Sequence, residues 1–253
     1  MMMRSVVIIP ARYASVRLPG KPLINLAGKP MIQWVYERAQ QIPSVDDVIV
    51  ATDDQRIADA VTGFGGSAVM TPQDIRNGSE RVGYVAKDLD AEIVINLQGD
   101  EPLISPEAVG AAIEALRDDR DIHIATLGCA ISEEDEWQDP SVVKVLTDEQ
   151  GNAIYFSRAQ IPCFRDEPFT PLPGVMRHIG VYVYRNAFLQ QFLSWPEGTL
   201  EAKEKLEQLR ILEKGHLVRV IETTDVSPGV DVPDDILRIE TLIKERGLLR
   251  EFK

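Results

Sequence analysis

Three cations, Arg12, Arg17 and Lys21, follow the apolar run Val6-Val7-Ile8-Ile9 and sit among small residues and prolines: Pro10, Ala11, Ala14, Pro19, Gly20 and Pro22. A continuous β-branched run reads as a buried parallel strand, and open α/β sheets bind ligands beyond the carboxyl ends of such strands. Cationic side chains in that position suit a compact polyphosphate. The charge distribution agrees, because five cations and no carboxylate precede Glu37 in a chain whose formal net charge is −13. A basic loop on an acidic protein focuses a small anion. A solvated basic loop is the plainer alternative, and its place at a strand end weighs against it. Spelling excludes two common phosphate loops. Lys21 is followed by Pro22, with Ser15 where a Walker A loop has its first glycine, and no G-x-G-x-x-G follows the first strand.

A second chemical position is Gln98-Gly99-Asp100-Glu101-Pro102, which ends an apolar strand over 92–97. An aspartate just beyond a central strand, with glycine beside it, can hold a hard cation next to a triphosphate. Mg²⁺ asks the protein for only one or two carboxylates and takes the rest of its octahedron from water and phosphate. Between the two lies the loop Ile75-Arg76-Asn77-Gly78-Ser79-Glu80-Arg81, where Asn77-Gly78 lets the backbone approach a ligand and Ser79 reads as a helix N-cap. Asp53-Asp54 could be ligand or cap, and the cap is favoured.

The elements that must position these residues alternate. Strands are expected over 47–52 and 68–71 and helices over 30–41 and 55–64, the order of a doubly wound sheet. From Ile122 the pattern turns β-rich, with a strand over 122–131, a hairpin over 142–157 around Asp148–Asn152, and an alternating strand over 176–184. A helix over 200–214, a strand over 218–222 and a last helix opened by Pro233, Asp234 and Asp235 complete the chain. At 253 residues and 44% hydrophobic content, one large α/β domain can fill its core. Cys129 and Cys163 lack C-x-x-C spacing and read as reduced packing thiols. No apolar run of membrane-spanning length and no signal-peptide core occurs, so a cytoplasmic protein without nucleic-acid or membrane partners is expected.

Pro10-Ala11-Arg12, Arg17-Leu18-Pro19-Gly20-Lys21-Pro22 and Gly28-Lys29-Pro30-Met31-Ile32 resemble the opening of sugar nucleotidyltransferases that use CTP. Gln98–Pro102, Tyr155-Phe156-Ser157-Arg158, Arg177-His178-Ile179-Gly180, Leu206-Glu207-Gln208-Leu209-Arg210 and Gly229-Val230-Asp231-Val232-Pro233 extend the resemblance, in order, to the 3-deoxy-manno-octulosonate (KDO) cytidylyltransferase family. One loop departs from the family pattern His-x-Ser-Gly-Thr-Glu/Asp-Arg. Here the histidine is absent, and serine replaces threonine while keeping the hydroxyl.

The resemblance implies an α/β fold with a doubly wound, mostly parallel, Rossmann-like sheet. It would form a single nucleotidyltransferase domain over 1–253, with an inserted β-rich lobe over about 132–175 as a homodimer interface. It implies that CTP is held by Ala11, Arg12, Lys21, Arg76, Gly78, Ser79, Arg81 and Gln98. Arg12, Arg17, Lys21 and Asp100 would serve catalysis, and Mg²⁺ would sit on Asp100 and Asp231. KDO, an anionic polyol, wants a guanidinium for its carboxylate and donor-acceptor side chains for its hydroxyls. Arg158 suits the first need, and Gln98, His178, Tyr182, Glu207 and Gln208 the second. His123 and His216 stay structural. The expected reaction makes CMP-KDO and diphosphate for lipopolysaccharide or capsule. An 8-amino KDO analogue or another acid sugar is the nearer alternative, and a non-catalytic nucleotide-binding regulator the remote one.

Overall fold

The computed structural model describes residues 3–14, 18–225, 227–230 and 232–250. The chain divides into two compact units, Met1–Gly110 with Ser227–Lys253 and Ala111–Val226. The first unit opens with β1 (Ser5–Ala11), whose side chains are almost all buried on both faces. A two-stranded ribbon of β2 (Asn25–Leu26) and β3 (Lys29–Pro30) leads into α1 (Met31–Gln40). Met31, Ile32, Val35 and Ala39, the residues at helical spacing, are fully buried, and the Trp34 indole donates to the Leu26 carbonyl at 2.8 Å. Then come β4 (Asp47–Thr52), α2 (Gln55–Gly63), β5 (Ser67–Met70), α3 (Gly78–Ala86) and β6 (Ile93–Asn96). The four long strands pair in parallel in the order β6-β1-β4-β5. Successive strand-helix steps put every carboxyl strand end on one edge, where loops can gather a ligand.

The unit boundary falls within α4 (Pro106–Asp118). The second unit contains β7 (Ile124–Ala130), α5 (Glu134–Gln138), the hairpin β8 (Lys144–Thr147) and β9 (Ala153–Ser157), β10 (Val175–Arg185), α6 (Asn186–Ser194), α7 (Thr199–Glu204), α8 (Leu209–Glu213) and β11 (Arg219–Glu222). Its strands run in the order β11-β7-β10-β8-β9, parallel only between β11 and β7, with an irregularity in β10 between Ile179 and Tyr182. The segment expected as a lobe over 132–175 lies within this unit. It carries its own aromatic cluster, with Trp137 edge-on to Phe164 at 5.3 Å and donating to the Ile161 carbonyl. Cys129 is buried as expected, but Cys163 is exposed and is not a packing thiol.

The chain returns to the first unit as α9 (Pro233–Glu245), with Pro233 at its first position and the Asp235 carboxylate accepting from the Val232 N–H. Ile239 and Ile243 bury against Leu26, Met31, Trp34 and Leu103. No helix among the described residues is long and apolar enough to cross a membrane.

Candidate active site

In the first unit a cleft of about 120 Å³ opens at the carboxyl end of β1 and β6, lined chiefly by Ala11, Arg12, Lys21, Gln98, Gly99 and Asp100. Its centre is an ion pair, Lys21 Nζ to Asp100 Oδ2 at 2.5 Å, partly open to solvent. The first turn after β1 has reached across 79 residues of sequence to the turn after β6. Two glycines make the approach tight. A Cβ on Gly99 would lie 3.2 Å from the Pro10 carbonyl oxygen, and one on Gly78 would lie 3.3 Å from the Pro10 ring and 3.5 Å from Gln98. The Arg12 guanidinium donates to the Ile75 carbonyl, so it ties β1 to the loop before α3 through backbone and not through the side chain at 75. Gln98 donates to Asn96 at 3.0 Å, and Asn96 to the Ser79 hydroxyl at 3.3 Å. The Asp100 carbonyl accepts from the Val230 N–H at 3.0 Å, which places Val230 beside the aspartate. Arg17 and Asp231 lie outside the described residues.

Arg81 has no exposed side-chain surface. It pairs with Asp53 at 2.8 Å and bonds Thr71, while its Nε has no hydrogen-bond partner among the described residues. Burial pulls its pKa down against the opposing pull of Asp53. Arg76, by contrast, is 84% exposed and pairs with Glu80 one turn on.

In the second unit Arg158 directly follows β9. Its Nε donates to the Glu204 carbonyl at 3.1 Å and its Nη1 to the Pro140 carbonyl at 3.2 Å. His178 on β10 lies edge-on to Phe156 at 5.1 Å and 5.4 Å from Tyr182. Thr126 Oγ1 is 2.7 Å from the Val181 carbonyl and 2.9 Å from His178 Nε2. A hydroxyl has one proton; given to the carbonyl, it leaves the oxygen to accept from Nε2–H, so Nδ1 is the ring's acceptor. Burial drives the His178 pKa from 6.5 to about 3 and, with Glu207, raises that of Tyr182. Gln208 is 3% exposed, and its Nε2 has no hydrogen-bond partner among the described residues.

A cytidylyltransferase family model matches residues 6–222. The 3-deoxy-manno-octulosonate cytidylyltransferase of Syntrophotalea carbinolica is 51% identical over 247 residues, spanning 95% of this chain and 98% of that protein. The chain belongs to the 3-deoxy-manno-octulosonate cytidylyltransferase family. The Vibrio vulnificus member is 48% identical over 95% of this chain and 98% of its own. A solved CMP:2-keto-3-deoxy-manno-octonic acid synthetase, complexed with CTP, superposes with a TM-score of 0.91 at 44% identity over 96% of this chain and 99% of its own. A 4-diphosphocytidyl-2C-methyl-D-erythritol synthase from Anaerococcus prevotii, at 16% identity and TM-score 0.63, shares the fold alone.

Four expectations for this family site need correction. Asn77, not Ser79, caps α3, its side chain accepting from the Glu80 N–H at 2.8 Å. Asp54 is a cap as expected, but Asp53 instead serves Arg81. The helix over 200–214 is two helices, broken at Lys205 in the left-handed region with φ of 56°. Arg210, whose i, i+3 spacing to Glu207 reads as an ordinary surface pair, is mostly buried and grips Glu201 through Nε at 2.6 Å and Nη2 at 2.5 Å. One cause joins the last two. In an unbroken helix, residues 201 and 210 would be about 13 Å apart along the axis, so only the break lets that buried pair form. Glycine and proline are absent from the break, so spelling carried no sign of it.

Neutral His178 has a testable consequence. The unfolded chain takes up a proton near pH 6.5, whereas the folded ring resists until about pH 3. Its stabilising contribution is therefore complete above pH 6.5 and lost as pH falls through about 3. Urea midpoints of His178→Gln should fall less steeply than those of the parent over this window; parallel curves would show that the ring is protonated in the fold.

Proposed function

We propose that the chain is a 3-deoxy-manno-octulosonate cytidylyltransferase, converting CTP and KDO to CMP-KDO and diphosphate. The observation that carries the reading is the Lys21–Asp100 pair in the β1/β6 cleft, set in a chain nearly half identical to the family along almost its full length. The anomeric 2-hydroxyl of the sugar acid attacks the α-phosphorus; the new oxygen–phosphorus bond forms as the bond to the β-phosphate oxygen breaks, and the hydroxyl proton passes to solvent. Such transfer depends on positioning and charge neutralisation. Lys21 and Arg12 neutralise the triphosphate and the departing diphosphate. Backbone at Gly78 and side chains of Ser79, Gln98 and Arg76 surround the nucleotide, while buried Arg81 holds the loop from beneath. Arg158 takes the sugar carboxylate, with Tyr182, His178, Glu207 and Gln208 for its hydroxyls; the unpartnered Gln208 amide supports this assignment.

Magnesium fits the donor set, because Asp100 offers a partly exposed, hard carboxylate oxygen. Asp100 and Asp231 would hold the ion, which when bound supplies charge neutralisation and a more acidic sugar hydroxyl. The same reading carries a cytoplasmic homodimer, with 132–175 at its interface, feeding lipopolysaccharide or capsule.

The test is diphosphate release from CTP and Mg²⁺ with KDO, its 8-amino analogue and N-acetylneuraminate offered separately. Release with KDO in clear preference is expected. Preference for the 8-amino analogue or another acid would retain the CTP half of the reading and discard the sugar; silence with all three would favour a non-catalytic regulator.

A further inference from the structure

Arg158 is held at more points than its own charge needs. Its N–H donates to the Glu204 carboxylate at 3.0 Å, its carbonyl accepts from Lys144 Nζ at 3.0 Å, and its Nε donates to the Glu204 carbonyl at 3.1 Å. The other Glu204 carboxylate oxygen takes the Ser157 hydroxyl at 2.6 Å. Lys144, fully buried and with its pKa lowered by burial, spends its remaining donors on the Asp139 and Val142 carbonyls. Among the described residues every hydrogen bond of the guanidinium goes to a neutral carbonyl, and Nη2 has no partner. Carbonyls aim the fork without an ion pair that would compete with a ligand carboxylate, which leaves a bidentate partner free to come from outside.

Glu204 does a second thing. It is the last residue of α7, directly before the left-handed Lys205 and the turn that delivers Glu207 and buried Gln208. One side chain therefore fixes both the end of β9 and the exit of α7, 46 residues apart in sequence.

We propose that Glu204 is a positioning residue for acid-sugar recognition, locking Arg158 and the 205–208 turn into one rigid receptor for a carboxylate and its neighbouring hydroxyls. The proposal rests on the functional reading above. The carboxylate accepts twice, from a hydroxyl and from an N–H; a glutamine keeps one accepting oxygen, and its amide nitrogen can bond Ser157 only if that hydroxyl turns its own proton away.

The decisive measurement is steady-state kinetics of Glu204→Gln beside the parent and Glu204→Asp. Glu204→Gln should raise the KM for KDO roughly tenfold, leaving the KM for CTP within about twofold, and Glu204→Asp should recover part of the loss. A merely structural role would move both KM values together, or neither. Should Glu204→Gln fail to fold, Ser157→Ala removes one of the two bonds and should give a smaller rise confined to the sugar. An unmoved KM for KDO in a folded variant, with the parent active, overturns this proposal alone. A parent inactive on every acid sugar overturns the functional reading and this proposal with it.

Discussion

Lys21→Met should lower turnover by about 10²- to 10³-fold, the cost of removing one preorganised charge from a transition state, while shifting the melting temperature by less than about 3 °C. The two halves of that expectation have separate causes. The Lys21–Asp100 pair is partly solvated, with Asp100 at 36% exposure, and such pairs contribute at most about 1 kcal/mol to folding. On the proposed reading the ammonium sits where diphosphate leaves, where charge accumulates on the leaving oxygen and water is a poor substitute for a fixed cation. Methionine keeps the length of the stem and its packing beside Pro22 while removing the charge. The check is kcat and the melting curve measured on one preparation. Near-normal kcat with a normal melt would remove Lys21 from the reaction; loss of both would make it a structural residue.

The largest effect on stability is expected at Glu201, which no sequence pattern marks. Glu201 and Arg210 are 7% and 11% exposed, joined by two short bonds. The glutamate also accepts from the Gly198 N–H at 2.8 Å, and Arg210 donates to the Trp195 carbonyl at 3.0 Å. Removing one member of a buried pair strands the other charge, at a cost of about 3–5 kcal/mol. For a chain of this size Glu201→Ala should therefore lower the melting temperature by roughly 10 °C or more. Replacing both members, Glu201→Met with Arg210→Leu, removes the stranded charge and should recover much of the loss. If the double variant melts no higher than Glu201→Ala, packing around α7 and α8 rather than the charge sets the cost.

The strands, most helices and the chemical class of the nucleotide loop were legible because each rests on local information. Val6–Ile9 is apolar on both faces and can only be a covered strand; Met31, Ile32, Val35 and Ala39 repeat at the helical period and are buried; and Pro233 followed by two aspartates opens α9 where such residues belong. The motif order singled out Lys21 and Asp100, and those two side chains meet.

Polar partnership was not legible. Asp53 faces Arg81 across 28 residues, Glu204 faces Arg158 across 46, and Glu201 meets Arg210 only because the helix between them is broken. Periodicity reports which face of an element is buried, whereas a hydrogen bond depends on the distance between atoms on different elements, which is set when those elements pack. The sequence by itself therefore determined the elements, the chemical groups and the family of reaction. Tertiary structure alone decided which of those groups neutralise one another and which, like the Arg158 fork and the Gln208 amide, it leaves without an anionic partner or an acceptor among the described residues.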